Sequence, residues 1–193
     1  MSKRIKKVFL SLLCFILLVL GGKFYMDRMK VDNLYRHGFQ LYEEQIAIYL
    51  KEHYSGISKI EFSPIYVTGD DGSSMLNAYV RPTIYDKYGH KATLGKTIEN
   101  YTPNSYGLVT HIILNFDGGG NEAIDLKDSN GNNIDVSNAK HLPDEAKLTK
   151  ARSTDENISL LVQDGQLKDV VKDEKGSPEA EIIYNVKLSK EEG

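Results

Sequence analysis

The densest group of hard-oxygen side chains in this chain lies between Asp117 and Asp135. Asp117, Asn121, Glu122, Asp125, Asp128, Asn130 and Asp135 carry the carboxylates and amides that calcium prefers. Their spacing argues against the best-known loop for that ion, which needs a glycine at its sixth position after an acid at its first. Counting back from Gly131 puts Leu126 at the first position. Asn130-Gly131 is also the dipeptide a tight hairpin turn demands, because both positions accept positive φ. The hairpin accounts for these residues without a metal, and none is assigned.

Other chemistries are weaker on spacing. His37 and His53 are sixteen residues apart on one predicted helix, and His90, His111 and His141 are scattered, so no pair has the i, i+4 arrangement of a helical zinc motif. Glu43-Glu44 and Asp70-Asp71 offer paired carboxylates for acid-base work. Adjacent helical residues diverge, however, and Asp70-Asp71 reads as a turn. Gly118-Gly119-Gly120 is followed by Asn121-Glu122 with no lysine, which does not make a phosphate cradle. No catalytic residue and no cofactor is expected.

The tyrosines are more informative. Twelve are present and tryptophan is absent. Tyr66, Tyr79, Tyr85, Tyr88, Tyr101 and Tyr106 fall on predicted strands or loops, and Tyr and Arg carry a large share of interface energy. Met75, Tyr79 and Arg81 alternate along one predicted strand and form the expected partner-binding face. Ordinary sheet-surface tyrosines are the competing explanation.

The elements that must position these residues follow from periodicity. Residues 30–54 read as a helix, with Leu34, Leu41, Tyr42, Ile46, Tyr49 and Leu50 on one side together with Gly38, Gln45 and His53. A seven-residue recurrence at Leu34-Tyr35, Leu41-Tyr42 and Ile48-Tyr49 also allows pairing with another chain. From Ile57 the period becomes two. Strands are predicted at Ile60 to Val67 with a break at Pro64, at Ser74 to Asp86, near Lys91 to Glu99, and at Leu108 to Phe116 as the central strand. Further strands are expected at Ala123 to Lys127 and Asn133 to Ser137, in a hairpin of Ile158–Gln163 with Gln166–Val171 turning at Asp164-Gly165, and at Ala180 to Leu188. A short helix is expected within residues 141–152.

Ahead of these, Val8 to Leu20 is a thirteen-residue apolar run interrupted only by Ser11 and Cys14, after Lys3, Arg4, Lys6 and Lys7. A helix of that length spans about 20 Å, extended if it continues to Met26 with lysines at the interfaces. The basic flank places the N-terminus in the cytoplasm and the remainder outside. An uncleaved signal anchor contacting the membrane through Val8 to Met26 is the adopted reading. A cleaved signal ending near Val19-Leu20-Gly21 and a lipid attachment at Cys14, which follows Leu13 rather than a small residue, are the alternatives. After Lys23 the chain holds 19 basic and 27 acidic residues, a net charge of −8, which argues against nucleic acid as a partner. Cys14 is the sole cysteine, so no internal disulfide can form.

The expected fold class is therefore α+β: an N-terminal transmembrane helix, then a long helix packed on a curved antiparallel β-sheet (meander). Residues 1–29 form the basic tip and anchor, 30–189 the extracytoplasmic domain and 190–193 a charged tail.

The basic and apolar N-terminus, the helix, and the segment Lys51-Glu52-His53-Tyr54-Ser55-Gly56-Ile57-Ser58-Lys59-Ile60-Glu61-Phe62 resemble small membrane-tethered proteins of Gram-positive bacteria. The overall plan is also similar to the TipC family of immunity proteins, which sit on the outer membrane face and neutralise toxins exported by type VII secretion. That resemblance implies a non-enzymatic protein at the cell membrane whose net-negative, tyrosine-bearing sheet face covers the cleft of an exported toxin. An accessory subunit of an envelope or secretion complex is the alternative, and an exported metal-dependent hydrolase the third.

Overall fold

The computed structural model describes residues 3–68, 77–95 and 112–190. One helix organises them. α1, Lys3–His53, is 51 residues long and runs without interruption from the basic N-terminus into the core. The expected division at residue 29 therefore falls inside a continuous helix. Leu20, Tyr25, Met26 and Met29 are exposed, whereas from Leu34 onward the helix is buried on nearly every side. Phe39, Glu43 and Ala47 are as enclosed as Leu41, Ile46 and Leu50.

The transmembrane element of the expected fold is corrected here. Among the described residues no helix is long and apolar enough to cross a membrane. The apolar run Val8 to Leu20 is shorter than the roughly 20 residues a span needs, and Gly21, Gly22, Lys23, Asp27, Arg28 and Lys30 follow it closely.

α1 stops at His53, three residues ahead of Gly56, which takes φ +86°. The carbonyls of its last turn would otherwise lack partners. Ser177 N–H donates to Lys51 O at 2.7 Å and Asp173 N–H to His53 O at 2.9 Å, so a distant loop caps the helix. Beyond it β1, Tyr54–Ser55, pairs antiparallel with β10, Val171–Lys172.

β2, Ile57–Phe62, and β3, Ile65–Thr68, are two halves of one bent strand, split at Ser63-Pro64 where a break is expected. Opposite them β5, Pro82–Asp86, and β4, Asn77–Tyr79, bend at the same place. Phe62 faces Pro82 and Tyr66 faces Tyr79, so three residues oppose two, the count of a β-bulge. Ser63 closes the bend: its N–H donates to Arg81 O, and its Oγ accepts the Arg81 N–H at 2.9 Å. Pro82 lies in an interior strand, tolerated there as that strand's first residue. β6, Lys91–Thr93, pairs outside β5.

On the other side of β2 and β3 the sheet is not a meander. β11, Glu181–Ile183, and β12, Leu188–Lys190, return parallel to β2 and β3 respectively. The expected single strand at Ala180 to Leu188 is thus divided, and Lys190 belongs to β12 rather than to a tail. A parallel partner needs a long crossover, and everything between Thr68 and Glu181 supplies it. Alternation alone cannot distinguish the two directions.

A separate sheet is formed by β7, Ile112–Phe116, β8, Glu122–Lys127, and β9, Asn133–Asp135, all antiparallel. Within it β8 is central and β7 is not. This sheet packs on α1 at Gly38, where an added Cβ would stand 2.3 Å from Leu114 Cδ2. The long helix is enclosed by two sheets instead of lying across one.

The expected hairpin after Ile158 is replaced by α2, Arg152–Gln163, preceded by a 3₁₀ turn at Asp144–Ala146. Thr154, Ile158 and Leu161 are its buried residues, at helical spacing. Asp164-Gly165 caps the helix instead of turning a hairpin. Gly165 has φ +77°, its N–H bonds Val162 O, and Gln166 N–H bonds Leu161 O, a Schellman motif.

Candidate functional site: an open tyrosine and cation face

The bent sheet turns Ile60, Phe62, Ile65, Ile84, Ala92 and Leu94 inward. Its opposite face carries the alternating residues Lys59 and Glu61 on β2, Tyr66 on β3, Thr83 and Tyr85 on β5, and Lys91 and Thr93 on β6. A groove of about 620 Å³ opens there, lined by Glu61, Ser63, Pro64, Tyr66, Arg81, Thr83, Tyr85, Lys91 and Thr93, together with Gln166 and Asn185.

Much of the face is held in place before any ligand arrives. Tyr85 Oη donates to Glu61 Oε2 at 2.7 Å and Lys59 Nζ to the same oxygen at 3.2 Å. These donors hold the Glu61 carboxyl below the usual carboxylate range. Lys59 Nζ lies 3.8 Å over the Tyr85 ring. Thr83 and Thr93 join their hydroxyls at 2.9 Å across the strand pair. At the bend, the rings of Tyr66 and Tyr79 lie 5.5 Å apart, and the Arg81 guanidinium sits 4.9 Å over Tyr79. Arg81 and Lys91 are the cations lining the groove, and Glu61 is its one carboxylate among the described residues. The described lining of the groove is thus net positive, where the sequence expectation is a net-negative face.

Of the residues singled out by alternation, Tyr79 and Arg81 stand together at the bend, and Met75 lies outside the described residues. Tyr66 and Tyr85 share their surroundings. Tyr88 belongs elsewhere, on the loop after β5, bonded through its hydroxyl to Asp169 between α2 and β10; Tyr101 and Tyr106 are outside the described residues. Sequence reasoning passes over Lys59, Glu61, Lys91 and Thr93. Their signal is the same period-two alternation, on β2 and β6, that exposes Tyr79 and Arg81.

The acidic stretch resolves into turn chemistry. Asp117 Oδ1 accepts the N–H groups of Gly119 and Asn121, and its Oδ2 accepts Asn121 Nδ2. Asp128 repeats this with Asn130 and Asn132. Asp86 repeats it with Tyr88 and His90, the imidazole taking the place of the amide. Three hairpins thus share an Asp-x-x-Gly-Asn/His loop, a local repeat whose spacing is plain in the sequence once the turns are aligned. Among the described residues no group of three or more His, Cys, Asp or Glu could hold a metal ion.

Glu43 and Glu44 diverge, as adjacent helical residues must. Glu43 Oε2 accepts Asn185 N–H, whereas Glu44 accepts Leu142 N–H and meets His141. Asp70, Asp71 and His111 lie outside the described residues. A second cavity, about 440 Å³, separates the 128–131 turn from the start of α2. Several of its polar groups are already engaged: Arg152 bonds Glu156, Lys127 bonds Gly131 O, and Asp155 is taken by Lys172.

No protein-family model, no curated protein and no solved structure matches this chain.

Proposed function

We propose that the domain is a non-catalytic binding module that works outside the cytoplasm, with the groove of the bent sheet as its contact surface. The observation that carries this is the convergence of Tyr66, Tyr79 and Tyr85 with Arg81 and Lys91 on one half-open face. Rigid aromatic rings and a guanidinium give large contact area at small ordering cost, which suits protein recognition. The basic residues ahead of the apolar run Val8 to Leu20 support export. In the immunity-protein reading the face covers the cleft of an exported toxin, and Arg81 and Lys91 favour an acidic rim on that partner.

The test is capture of extracytoplasmic proteins by the full chain, repeated with an Arg81→Glu/Lys91→Glu variant of unchanged thermal stability. Loss of the captured protein in the variant is the expected result. Undiminished capture would remove this face from the proposal.

One observation favours the accessory-subunit reading. Leu20, Tyr25, Met26 and Met29 project from α1 ahead of the packed domain, a surface suited to helix-mediated assembly. A partner that no longer binds Met26→Glu/Met29→Glu but still binds the sheet variant would select that reading.

A further inference from the structure

On α1, His37, Gln40 and Glu44 form a polar stripe at helical spacing, and all three hold the same irregular segment, residues 139–142. Gln40 Nε2 donates to Lys140 O at 3.2 Å, Glu44 Oε2 accepts Leu142 N–H at 2.7 Å, and Glu44 Oε1 lies 3.1 Å from His141 Nδ1. His37 completes the set. Its Nδ1 is 2.7 Å from Glu122 Oε2 on β8, and its Nε2 is 2.8 Å from Ala139 O.

A carboxylate and a carbonyl only accept hydrogen bonds, so both ring nitrogens of His37 must donate. A neutral imidazole carries one proton and turns its other lone pair toward an oxygen. We infer that His37 is a proton-operated clasp, holding residues 139–142 against α1 while its ring is doubly protonated and loosening them when it is neutral. The charge-assisted bond to Glu122 is the stronger of the two, so the proton leaves from Nε2 and the hydrogen bond to Ala139 O breaks. Burial opposes the charged ring, but the bonds to Ala139 and Glu122 and the charge of Glu122 outweigh it and raise the pKa.

The surrounding groups leave Glu122 as the controlling charge. β7 presents Ile112 and Leu114 to α1 at this level. From the clasped segment, His141 is engaged by Glu44 and Lys140 is exposed; on α1 itself Arg36 is exposed and Gln40 is neutral.

A histidine whose pKa is raised on folding contributes stability that is complete below its unfolded value near 6.5 and is lost as pH rises through the folded value. Nuclear magnetic resonance of the full chain would read both the ring and the segment it holds. The expected result is a His37 ring protonated on both nitrogens at pH 6, with a titration midpoint above 6.5. Protection of the Leu142 amide, corrected for intrinsic exchange, should fall several-fold through the same midpoint. His37→Gln should abolish that dependence, and Glu122→Gln should lower the midpoint. Repeating the measurement in Glu43→Gln removes the other buried group of α1 that titrates near neutrality. A singly protonated ring at pH 6, or Leu142 protection that is flat across the His37 midpoint, would overturn the inference.

Discussion

Glu43 accepts the backbone N–H of Asn185 through Oε2 at 2.9 Å, while its Oε1 is buried with no hydrogen-bond partner. Asn185 lies in the connection between β11 and β12, so a carboxyl group inside the core fixes the link between the last two strands. Burial pushes the Glu43 carboxyl up to about 7, against the smaller lowering effect of the Asn185 N–H. A raised acid is favoured in its protonated form by folding. Stability should therefore fall as pH rises from about 4.5 to about 7 and change little above that. The full effect is on the order of 3 kcal/mol. Urea unfolding of Glu43→Gln at pH 5 and pH 8 should show a smaller difference than the parent chain, because the amide cannot ionise. An unaltered difference would place the titration elsewhere.

Asp86 behaves in the opposite sense. It is buried, yet its oxygens accept Tyr88, His90 and Lys168 N–H groups and face the His90 ring. Burial raises its pKa, but these bonds outweigh it and bring the carboxyl down to about 2. Its stabilisation is present above its ordinary value near 3.8 and is lost as pH falls through about 2. Asp86→Asn should destabilise the domain at pH 7 by about 2–3 kcal/mol. Asp117→Asn and Asp128→Asn, in exposed loops of the same design, should each cost clearly less than Asp86→Asn. Equal losses at all three positions would show that the loop, and not the buried tie to Lys168, sets the energy.

Gly176 lies against the end of α1, where an added Cβ would stand 2.1 Å from Lys51 O, and it holds φ +60°. Neither problem can be relieved by rotating a side chain. Gly176→Ala should lower stability by about 2–5 kcal/mol in chemical denaturation. Gly38→Ala meets only the ends of Leu114 and Ile112 side chains, and a better helix former offsets part of that crowding by about 1 kcal/mol. The two alanines should therefore differ clearly, with Gly176→Ala the worse.

How far the sequence could lead is visible in particular residues. Asn130-Gly131 and Ser63-Pro64 each has one local meaning, a turn and a strand break, and both features occur, although only Gly131 of the first pair takes positive φ. Asp164-Gly165 has two. The same positive φ that closes a hairpin also caps a helix, and the apolar residues Ile158 to Val162 fit either period over so short a run. The spacing of Thr154, Ile158 and Leu161, with the Arg152–Glu156 pair four apart, decides it in favour of the helix. Burial of Glu43 is not legible, because it depends on the distant link between β11 and β12 reaching the side of α1 away from Gly38. The parallel return of β11 and β12 is equally hidden, since alternation records which face a residue occupies and not strand direction. On the candidate face, Tyr79 and Arg81 can be named from one strand, but their neighbours Tyr66, Lys91 and Thr93 come from strands whose register only the fold sets.

Asp155 provides a test of how the three parts of the domain are coupled. Its Oδ1 accepts the hydroxyls of Tyr49 and Tyr54, each at 2.6 Å, and its Oδ2 accepts Lys172 Nζ at 2.6 Å. Tyr49 Oη in turn accepts Ala151 N–H at 3.2 Å. One carboxylate on α2 thereby joins the end of α1 to β1 and β10. Despite its burial, these donors lower the Asp155 pKa, whereas burial and the bond to Asp155 raise that of Tyr54. Tyr54→Phe removes one donor and leaves Asp155 with two, so the expected cost is about 1 kcal/mol. Asp155→Ala leaves the hydroxyl protons of the buried Tyr49 and Tyr54 without their acceptor, while the half-exposed Lys172 keeps its bond to Tyr49 Oη, and should cost about 2–4 kcal/mol. In the double variant only the Tyr49 hydroxyl has lost its acceptor, so the combined loss should be smaller than the sum of the two single losses by about 1 kcal/mol or more. Thermal and urea unfolding of the three variants measure that coupling. Strict additivity would mean that Tyr54 and Asp155 stabilise the fold independently, and that the shared carboxylate is not what ties α1 to α2.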